Sequence, residues 1–255
     1  MTEILQKKLY NDKVIVNFYP NSHFYKINNE RKISVTAITG IIDKSRPLIY
    51  WAVGLMRDYL NEQLENGEII NSAFIIEGSK QHTKFLKKAG DLGTQVHDWC
   101  EQFAKAKMNK TELPKIDKTF PKEVILGINA FLDWYNKNKV KFIEIERLVY
   151  SKKYDYCGFF DVLAKVNGKI CLIDYKTYKE NPDYEFKGYP EHKFQVAGYI
   201  EAYEEETKKS IDKGTILYFD KITGKFKEMD CGNLKEHRKT FLACLKVKKA
   251  LVKIA

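Results

Sequence analysis

The sequence predicts a mixed fold of the α/β or α+β class, with a mainly helical front half, a mixed sheet and a closing helix. Three observations support this prediction. Apolar residues recur at helical spacing after residue 45, segments rich in β-branched and aromatic residues begin at Val140, and helical spacing returns near the C-terminus. The 255 residues are 44% hydrophobic and 31% charged, which is typical of a globular protein rather than a disordered chain.

We predict a single domain over residues 1–255, because no stretch is long and polar enough to be a linker. Its parts are a mainly helical front half with N-terminal strands (1–139), a sheet with its following helix (140–230) and a C-terminal helix (231–255). No internal repeat interrupts this order.

The front half opens with three predicted strands, Val14–Tyr19, His23–Ile27 and Ile33–Ile42, with a turn at Asn28-Asn29. Three helices are expected to follow. The first begins with Ser45 as the N-cap and ends before Gly67, because serine and a nearby proline favour a helix start and glycine a helix end. The other two cover about Ser79 to Lys107, with an expected break near Gly90 or Gly93, and about Pro121 to Lys139.

The back half alternates strands with helices. The predicted elements are strands Lys141–Ser151, Gly158–Val166 and Lys169–Thr177, helix Lys193–Lys208, strands Gly214–Asp220 and Lys225–Asp230, and helix Leu234–Lys253. The segment between Thr177 and His192 is predicted to be a loop.

The net charge of +10, from 44 basic and 34 acidic residues, makes an anionic partner such as nucleic acid plausible. No apolar run has the length of a membrane span, and the first residues lack a signal-peptide pattern, so we expect a cytoplasmic protein. The five cysteines have no CxxC spacing, which argues against a zinc ribbon or a cysteine-held iron–sulfur cluster. The GxxxxGK[ST] phosphate loop is also absent from the sequence.

The most informative segment is a predicted hairpin around Asn167-Gly168, which is a favoured two-residue turn. With that turn, Asp161 is expected to lie directly opposite Asp174 on one face of the sheet. Lys176 is two residues further along the strand, so its side chain is expected on the same face.

Two opposed carboxylates within apolar strands repel each other unless a positive charge compensates them. Mg²⁺ or Mn²⁺ would do so, because these hard cations bind carboxylate oxygens. Two carboxylates, a metal ion and a lysine can together hydrolyse a phosphate ester. The plainer interpretation is a frayed sheet edge at which Lys176 only pairs with the two aspartates.

The motif G-x-x-D at Gly158 and Asp161, followed by D-x-K at Asp174 and Lys176, resembles the PD-(D/E)XK nuclease superfamily. Gln195 and Tyr199 are similar to the Q-x-x-x-Y motif of its RecB-like branch. Upstream, Gly93-Thr-Gln-Val-His97 is similar to the G-x-x-x-H motif of that branch. The front end, with Ser34-Val-Thr and Trp51, also resembles exonucleases of phages and prophages.

The resemblance implies a restriction-endonuclease-like core, with a central mixed sheet flanked by helices, that cuts DNA with Mg²⁺ or Mn²⁺. By this resemblance Asp161, Asp174, His97 and the backbone carbonyl of Tyr175 would bind the metal, and Lys176 would be the catalytic lysine. Gln195 and Tyr199 would flank the cleaved phosphate. Some RecB-like enzymes carry a four-cysteine iron–sulfur cluster, but Cys231 and Cys244 do not form that pattern, so we predict none.

Two further groups are weaker candidates. Glu146, in the strand before the hairpin, could add an acid to the metal site, although Glu144 and Glu146 also fit a solvated strand face with the isoleucines inside. Tyr178, Lys179 and Lys187 interleave aromatic and basic side chains, which suits a single DNA strand, but they fit an ordinary solvated loop equally well.

From these features we expect a metal-dependent DNA exonuclease that acts on ends or single strands. A structure-specific endonuclease or nickase with the same site, and a nucleic-acid-binding module without activity, are the alternatives. The resemblance to phage enzymes adds the expectation of DNA recombination or repair, with a recombination or replication protein as partner.

Overall fold

A computed structural model of the chain describes residues 4–180 and 185–254 and confirms the mixed α/β class. The strands are β1 (Leu5–Leu9), β2 (Val14–Tyr19), β3 (Phe24–Ile27), β4 (Glu30–Ser34), β5 (Val140–Ser151), β6 (Tyr156–Val166), β7 (Lys169–Tyr178), β8 (Lys213–Asp220) and β9 (Phe226–Asp230). The helices are α1 (Val35–Thr39), α2 (Ser45–Glu65), α3 (Ser72–Ser79), α4 (Gln81–Asn109), α5 (Lys122–Lys137), α6 (Pro190–Thr207) and α7 (Leu234–Ile254), with a short 3₁₀ turn at Pro20–Ser22. None of the helices in the described ranges is long and apolar enough to cross a bilayer.

The chain divides into two compact units. One consists of Met1–Ile41 and Val96–Ala255 and contains the sheet, and the other is Ile42–Gln95. In the second unit Trp51 contacts Phe85 edge to face, with ring centroids 5.5 Å apart, and Met56 packs over Gly78. Helix α2 has no fully buried residue, so its apolar stripe is only partly covered.

The strands that the structure describes form one mixed sheet in the order β1-β2-β3-β4-β6-β7-β8-β9, with β5 on the remaining edge of β6. The pairs β4–β6 and β7–β8 are parallel, and the other pairs are antiparallel. Parallel β7 and β8 are joined through α6, as expected for a β-helix-β crossover.

Clusters of buried apolar side chains hold the sheet together with its helices. Helices α1, α6 and α7 cover one face, where Tyr156, Phe160 and Phe241 are buried. In a separate cluster, strands β1–β3 pack against β5 and β6 through Tyr25, Leu148 and other buried side chains. Burial of such large side chains supplies most of the favourable free energy of folding.

The structure confirms most predicted elements and adds β1, which the polar sequence Leu5–Leu9 did not indicate. Four of its five residues are exposed, so it lacks the alternation that identifies a strand. The turn at Asn28-Asn29 is confirmed, with φ angles of 50° and 65° at the two asparagines.

Three local predictions in the front half were wrong. The segment Ile33–Ile42 is a strand only to Ser34, whose side chain accepts the backbone N–H of Ala37 and starts helix α1. Ser45 is the first helical residue rather than the N-cap, because Asp43 accepts its backbone N–H. Helix α4 also continues through Gly90 and Gly93 without a break.

Helices α6 and α7 approach closely at Gly198. A Cβ atom at this position would lie 2.6 Å from Cζ of Phe241, which is too close for any side chain. We therefore expect Gly198→Ala to destabilise the protein by about 1–3 kcal/mol through overpacking. Thermal unfolding followed by circular dichroism measures this loss.

Gly90→Ala is the matched control, because a Cβ at this helical position meets no atom within 4 Å. Removing glycine from an open helical site should stabilise the protein by about 0.4–1 kcal/mol. An unchanged melting temperature for Gly198→Ala would contradict the close packing of α6 on α7.

Candidate active site

Asp161 lies where strand β6 changes its neighbour. On one edge, β6 pairs with β4 at Tyr156 and Cys157, and with β7 only from Val162 onward. Within the described residues, the stretch between them has no strand partner on that edge. Asp161 is the last residue of this unpaired stretch, so it lies directly next to the end of the β6–β7 ladder.

The alternation of side chains along strand β6 is broken at the same place, and we call this break a kink. Phe160 and Leu163 lie in the same core cluster beneath α6, although residues three apart on a regular strand point to opposite faces. The face alternation therefore shifts between them, at Asp161. This shift takes the Asp161 carboxyl group out of the regular alternation of the sheet.

Strand β5 is kinked in step with β6. Glu144 and Arg147, three apart, form an ion pair of 3.0 Å, and both reach α6. Tyr203 donates a hydrogen bond of 2.6 Å to Glu144, and Glu206 pairs with Arg147 at 2.8 Å. The change of face falls at Glu146, whose φ of 48° is left-handed and strained for a residue with a side chain.

The hairpin register is confirmed from Val166–Lys169 to Val162–Ile173, but the ladder ends one pair before Asp161 and Asp174. The prediction of a directly opposed pair is corrected accordingly. Asp161 Oδ2 instead accepts the backbone N–H of Tyr175 at 2.5 Å. The side chain thus takes the place of a backbone acceptor at the end of the ladder.

Asp174 is 2% exposed, and its Oδ2 atom forms an ion pair with Nζ of Lys176. Burial raises the pKa of Asp174 and Asp161 raises it further, against the opposing effect of Lys176. Burial alone would lower the pKa of Lys176, but Asp174 and Asp161 outweigh it and raise that pKa. Lys176 is therefore a cation at neutral pH.

Helix α6 supplies Gln195 and Tyr199, four residues apart and both buried. Gln195 Nε2 donates to Asp174 Oδ1 at 3.3 Å and to the Tyr199 hydroxyl at 2.9 Å. The Tyr199 ring packs on Gly158, where a Cβ atom would lie 2.6 Å from the ring. Glycine at the start of the G-x-x-D motif thus allows α6 to approach the kinked strand.

Helix α4 places His97 on the other side of Asp161, with Nδ1 3.7 Å from Asp161 Oδ1. Burial, helped by the Lys176 ammonium, lowers the pKa of His97 to about 4. The imidazole is therefore neutral at physiological pH, which is the state that can donate a lone pair to a metal ion.

A profile of the PD-(D/E)XK nuclease superfamily matches residues 75–251, which is more than half of the chain and includes every residue of this site. The chain belongs to the PD-(D/E)XK nuclease superfamily. The mixed sheet with its flanking helices is consistent with the restriction-endonuclease-like fold of these proteins. Superfamily membership implies a nuclease, and such nucleases generally use divalent metal ions.

Two other comparisons add little. No curated protein matches this chain in sequence. The crystal structure of SSO0001 is similar over 79% of this chain and 86% of its own length, with 14% identity and a TM-score of 0.30. A likeness this loose supports no conclusion about function.

The donor types at this PD-(D/E)XK site fit a divalent metal ion. Carboxylate oxygens suit Mg²⁺ and Mn²⁺, and a neutral imidazole suits Mn²⁺ in particular. Within the described ranges, however, no three His, Cys, Asp or Glu side chains are grouped to hold an ion. Lys176 contacts Oδ2 of Asp174, and the Tyr175 N–H contacts Oδ2 of Asp161.

Additional acids surround Asp161. Register places Glu146 across from it, between the pairs Ile145–Val162 and Arg147–Phe160. Burial raises the pKa of Glu146 to about 8, and Asp161 and Glu101 contribute. Glu101, which belongs to none of the motifs in the sequence, lies one helical turn after His97 on α4. Of the two isoleucines that the solvated-face interpretation places inside, Ile143 is 37% exposed and Ile145 is half-buried.

In the loop after β7, the aromatic side chains pack on one another, whereas the two candidate lysines are exposed to solvent. The Tyr178 ring stacks on Phe186, with centroids 4.4 Å apart, and contacts Tyr218 edge to face. Lys179 and Lys187 are exposed. Residues 181–184 of this predicted loop lie outside the described residues, and the DNA-binding roles remain predictions.

The raised pKa of Glu146 predicts how the stability of the fold depends on pH. Between its usual value of 4.5 and about 8, the carboxyl group is protonated in the folded chain and ionised in the unfolded chain. The unfolded chain then binds fewer protons, so this group makes stability fall as pH rises through that window. We expect Glu146→Gln to melt several degrees higher than the wild type at pH 8 and to show a flatter pH profile in EDTA.

Glu112→Gln is the control, because this glutamate is exposed and should leave the profile unchanged. The same pH dependence in wild type and Glu146→Gln would show that Glu146 is not buried as an acid.

Proposed function

We propose that this chain is a metal-dependent deoxyribonuclease, most similar to the RecB-like branch, that removes nucleotides from DNA ends or acts on single strands. The observation that carries this proposal is the buried Asp174–Lys176 ion pair beside Asp161. Burial of Asp174 and partial burial of Lys176 and Asp161 are costly, and a site that needs their charges explains their presence. The order of the motifs supports the RecB-like assignment, and the resemblance to phage enzymes supports the exonuclease.

In this proposal Asp161, Asp174, His97 and the Tyr175 carbonyl would hold Mg²⁺ or Mn²⁺, with Glu146 as an additional acid. When bound, the metal supplies a Lewis acid that polarises the phosphoryl oxygen and acidifies water. Asp174 and Asp161 raise the pKa of Lys176. As a cation, Lys176 would stabilise the negative charge that develops on the phosphate and orient the attacking water.

Gln195 and Tyr199 hold the carboxylate of Asp174 in place through the amide hydrogen bond. Preorganised groups of this kind need no rearrangement during the reaction. The deprotonated state of His97 keeps its nitrogen available at neutral pH. The basic loop residues Lys179 and Lys187, with Tyr178, would contribute contacts to the DNA strand.

Two alternatives remain for this site. A structure-specific endonuclease or nickase would use the same residues and differ only in the DNA that it admits. A binding module without activity would retain the fold but cut no DNA. The intact Asp161, Asp174 and Lys176 favour an active enzyme over this second alternative, because charge burial at Asp174 has no evident structural use.

Lys176→Ala tests the chemistry. The change removes the cation next to the reacting phosphate, and loss of one preorganised electrostatic group commonly costs about a hundred- to a thousand-fold in rate. We expect at least that loss in cleavage of end-labelled DNA with Mg²⁺ or Mn²⁺, and no cleavage by any variant in EDTA. Asp174→Asn should lose at least as much.

Lys169→Ala is the matched control, since it removes an exposed lysine from the same strand. It should retain full cleavage and the same fold by circular dichroism. Near-normal cleavage by Lys176→Ala would refute the assignment of the active site. DNA binding by the wild type without any metal-dependent cleavage would favour the inactive module.

The form of the DNA separates exonuclease from endonuclease. We expect cleavage of linear single- or double-stranded DNA to mononucleotides or short products, because an exonuclease needs an end. Covalently closed circular DNA of the same sequence should remain intact under the same conditions. Cutting of closed circles would contradict the exonuclease proposal and favour the endonuclease.

A further inference from the structure

A basic cleft of about 370 Å³ lies outside the site just described, between the β3–β4 hairpin and helix α7. Its walls include His23, Phe24, Arg31, Ser34 and Lys248. All of these residues belong to the compact unit that contains the sheet. We refer to this feature below as the hairpin cleft.

The hairpin cleft carries excess positive charge. Lys32, also on its wall, pairs with Glu30 at 2.9 Å and Asp155 at 3.1 Å, so three cations of the cleft face these two carboxylates. In contrast, no carboxylate of the described residues forms an ion pair with Arg31 or Lys248. These two cations come from different elements, β4 and α7, and only the tertiary structure brings them to one cleft.

A pair of aromatic rings adjoins the cleft, with Phe24 on its wall. Tyr19 and Phe24 are stacked, with centroids 4.3 Å apart and an interplanar angle of 14°. The Arg31 guanidinium lies 5.0 Å from the centre of the Phe24 ring, and the Lys26 ammonium lies 5.6 Å from that of Tyr19. Both rings are only partly buried. Cations held over aromatic faces beside a cleft suit a ligand with both phosphates and flat bases.

The sheet sets the distance from this cleft to the active site. Ser34, on the cleft wall, pairs with Cys157, and Asp161 lies four residues further along β6. At about 3.3 Å per residue, Ser34 is roughly 13 Å from Asp161, and Arg31, three residues earlier on the parallel strand β4, is roughly 23 Å from it. The α1 and α7 residues of the cleft belong to elements that pack with α6, which also carries Gln195 and Tyr199.

We propose that the hairpin cleft is a second binding subsite, which holds phosphates and a base of a single DNA strand a few nucleotides from the cleaved bond. The proposal deepens the proposed function and rests on it for the presence of DNA in the active site. Contacts to phosphates carry no sequence information, so the subsite adds affinity for any sequence. A phosphate-binding role also explains why Arg31 and Lys248, from two distant segments, lie at one cleft, where the stability of the fold does not depend on positive charge.

The test measures binding of a fluorescein-labelled oligo-dT of about 20 nucleotides, a length that exceeds one nucleic-acid-binding domain's usual site. Measurements in EDTA prevent cleavage, so they do not depend on catalysis. The variant is Arg31→Ala with Lys248→Ala in the full chain. We expect about tenfold weaker binding near 0.1 M salt, and a slope of log affinity against log salt that is shallower by about 1.4, because two phosphate contacts are lost from a single strand.

The matched control is Lys141→Ala with Lys165→Ala. These exposed lysines are register partners on β5 and β6, away from the cleft, and their removal lowers the net charge by the same two units. We expect nearly unchanged affinity and slope. Equal losses in the two double variants would overturn the proposal, because general charge attraction would then explain both.

Phe24→Leu tests the aromatic pair separately. It removes the ring but no charge, so we expect weaker binding of oligo-dT with an unchanged salt slope. Unchanged affinity would overturn the base contact. In cleavage assays the Arg31/Lys248 variant should raise KM and leave kcat unchanged, since neither residue belongs to the active site.

The outcomes for the two proposals are distinguishable. Absence of metal-dependent cleavage in the wild type, together with the expected loss of binding in the Arg31/Lys248 variant, would refute the proposed function but support the subsite. Cleavage with no difference in binding between that variant and the wild type would refute the subsite and leave the proposed function in place.

Discussion

Asp174 is almost fully removed from water, which raises the pKa of its carboxyl group, and the Lys176 ammonium at one carboxylate oxygen opposes that rise. Gln195 donates a hydrogen bond to the other oxygen. An isolated buried carboxylate would be neutral, since the loss of hydration outweighs what apolar surroundings can return. This requirement determines what lies around it. Strand β7 must place Lys176 two residues away, and helix α6 must approach closely enough for Gln195, which in turn requires glycine at position 158.

The same region breaks the regular geometry of two neighbouring strands. Glu146 adopts a left-handed backbone in β5 and Asp161 lies at the matching kink in β6, so both strands change face together. A strained backbone and a cluster of acids with raised pKa values are costs to stability, which the large cores on both faces of the sheet offset. Costs of this kind are common at functional sites of proteins, and here they coincide with the residues of the superfamily motif.

Local sequence patterns account for most of the fold. The turn Asn167-Gly168 set the register of β6 and β7 because a two-residue turn leaves a single pairing, and that pairing is present from Val166–Lys169 to Val162–Ile173. Strand β1 was missed because its residues are nearly all exposed, so no alternation marked it. Ser34 is the last residue of β4 and the N-cap of α1, so the predicted strand Ile33–Ile42 ends there. The β-branched residues after it fit either a strand or a helix until neighbouring elements bury them.

For the site, motif order and spacing in the sequence were enough to select Asp161, Asp174, Lys176, Gln195 and Tyr199 as the candidate residues, and the superfamily match agrees with the motifs. How these residues meet depends on the tertiary structure. The kink at Asp161 requires that β4 and β7 share one edge of β6, and the cations Arg31 and Lys248 converge because α7 packs beside the β3–β4 hairpin. Turns and helix spacing act between residues near in sequence, whereas these arrangements depend on contacts between segments that are far apart in the chain.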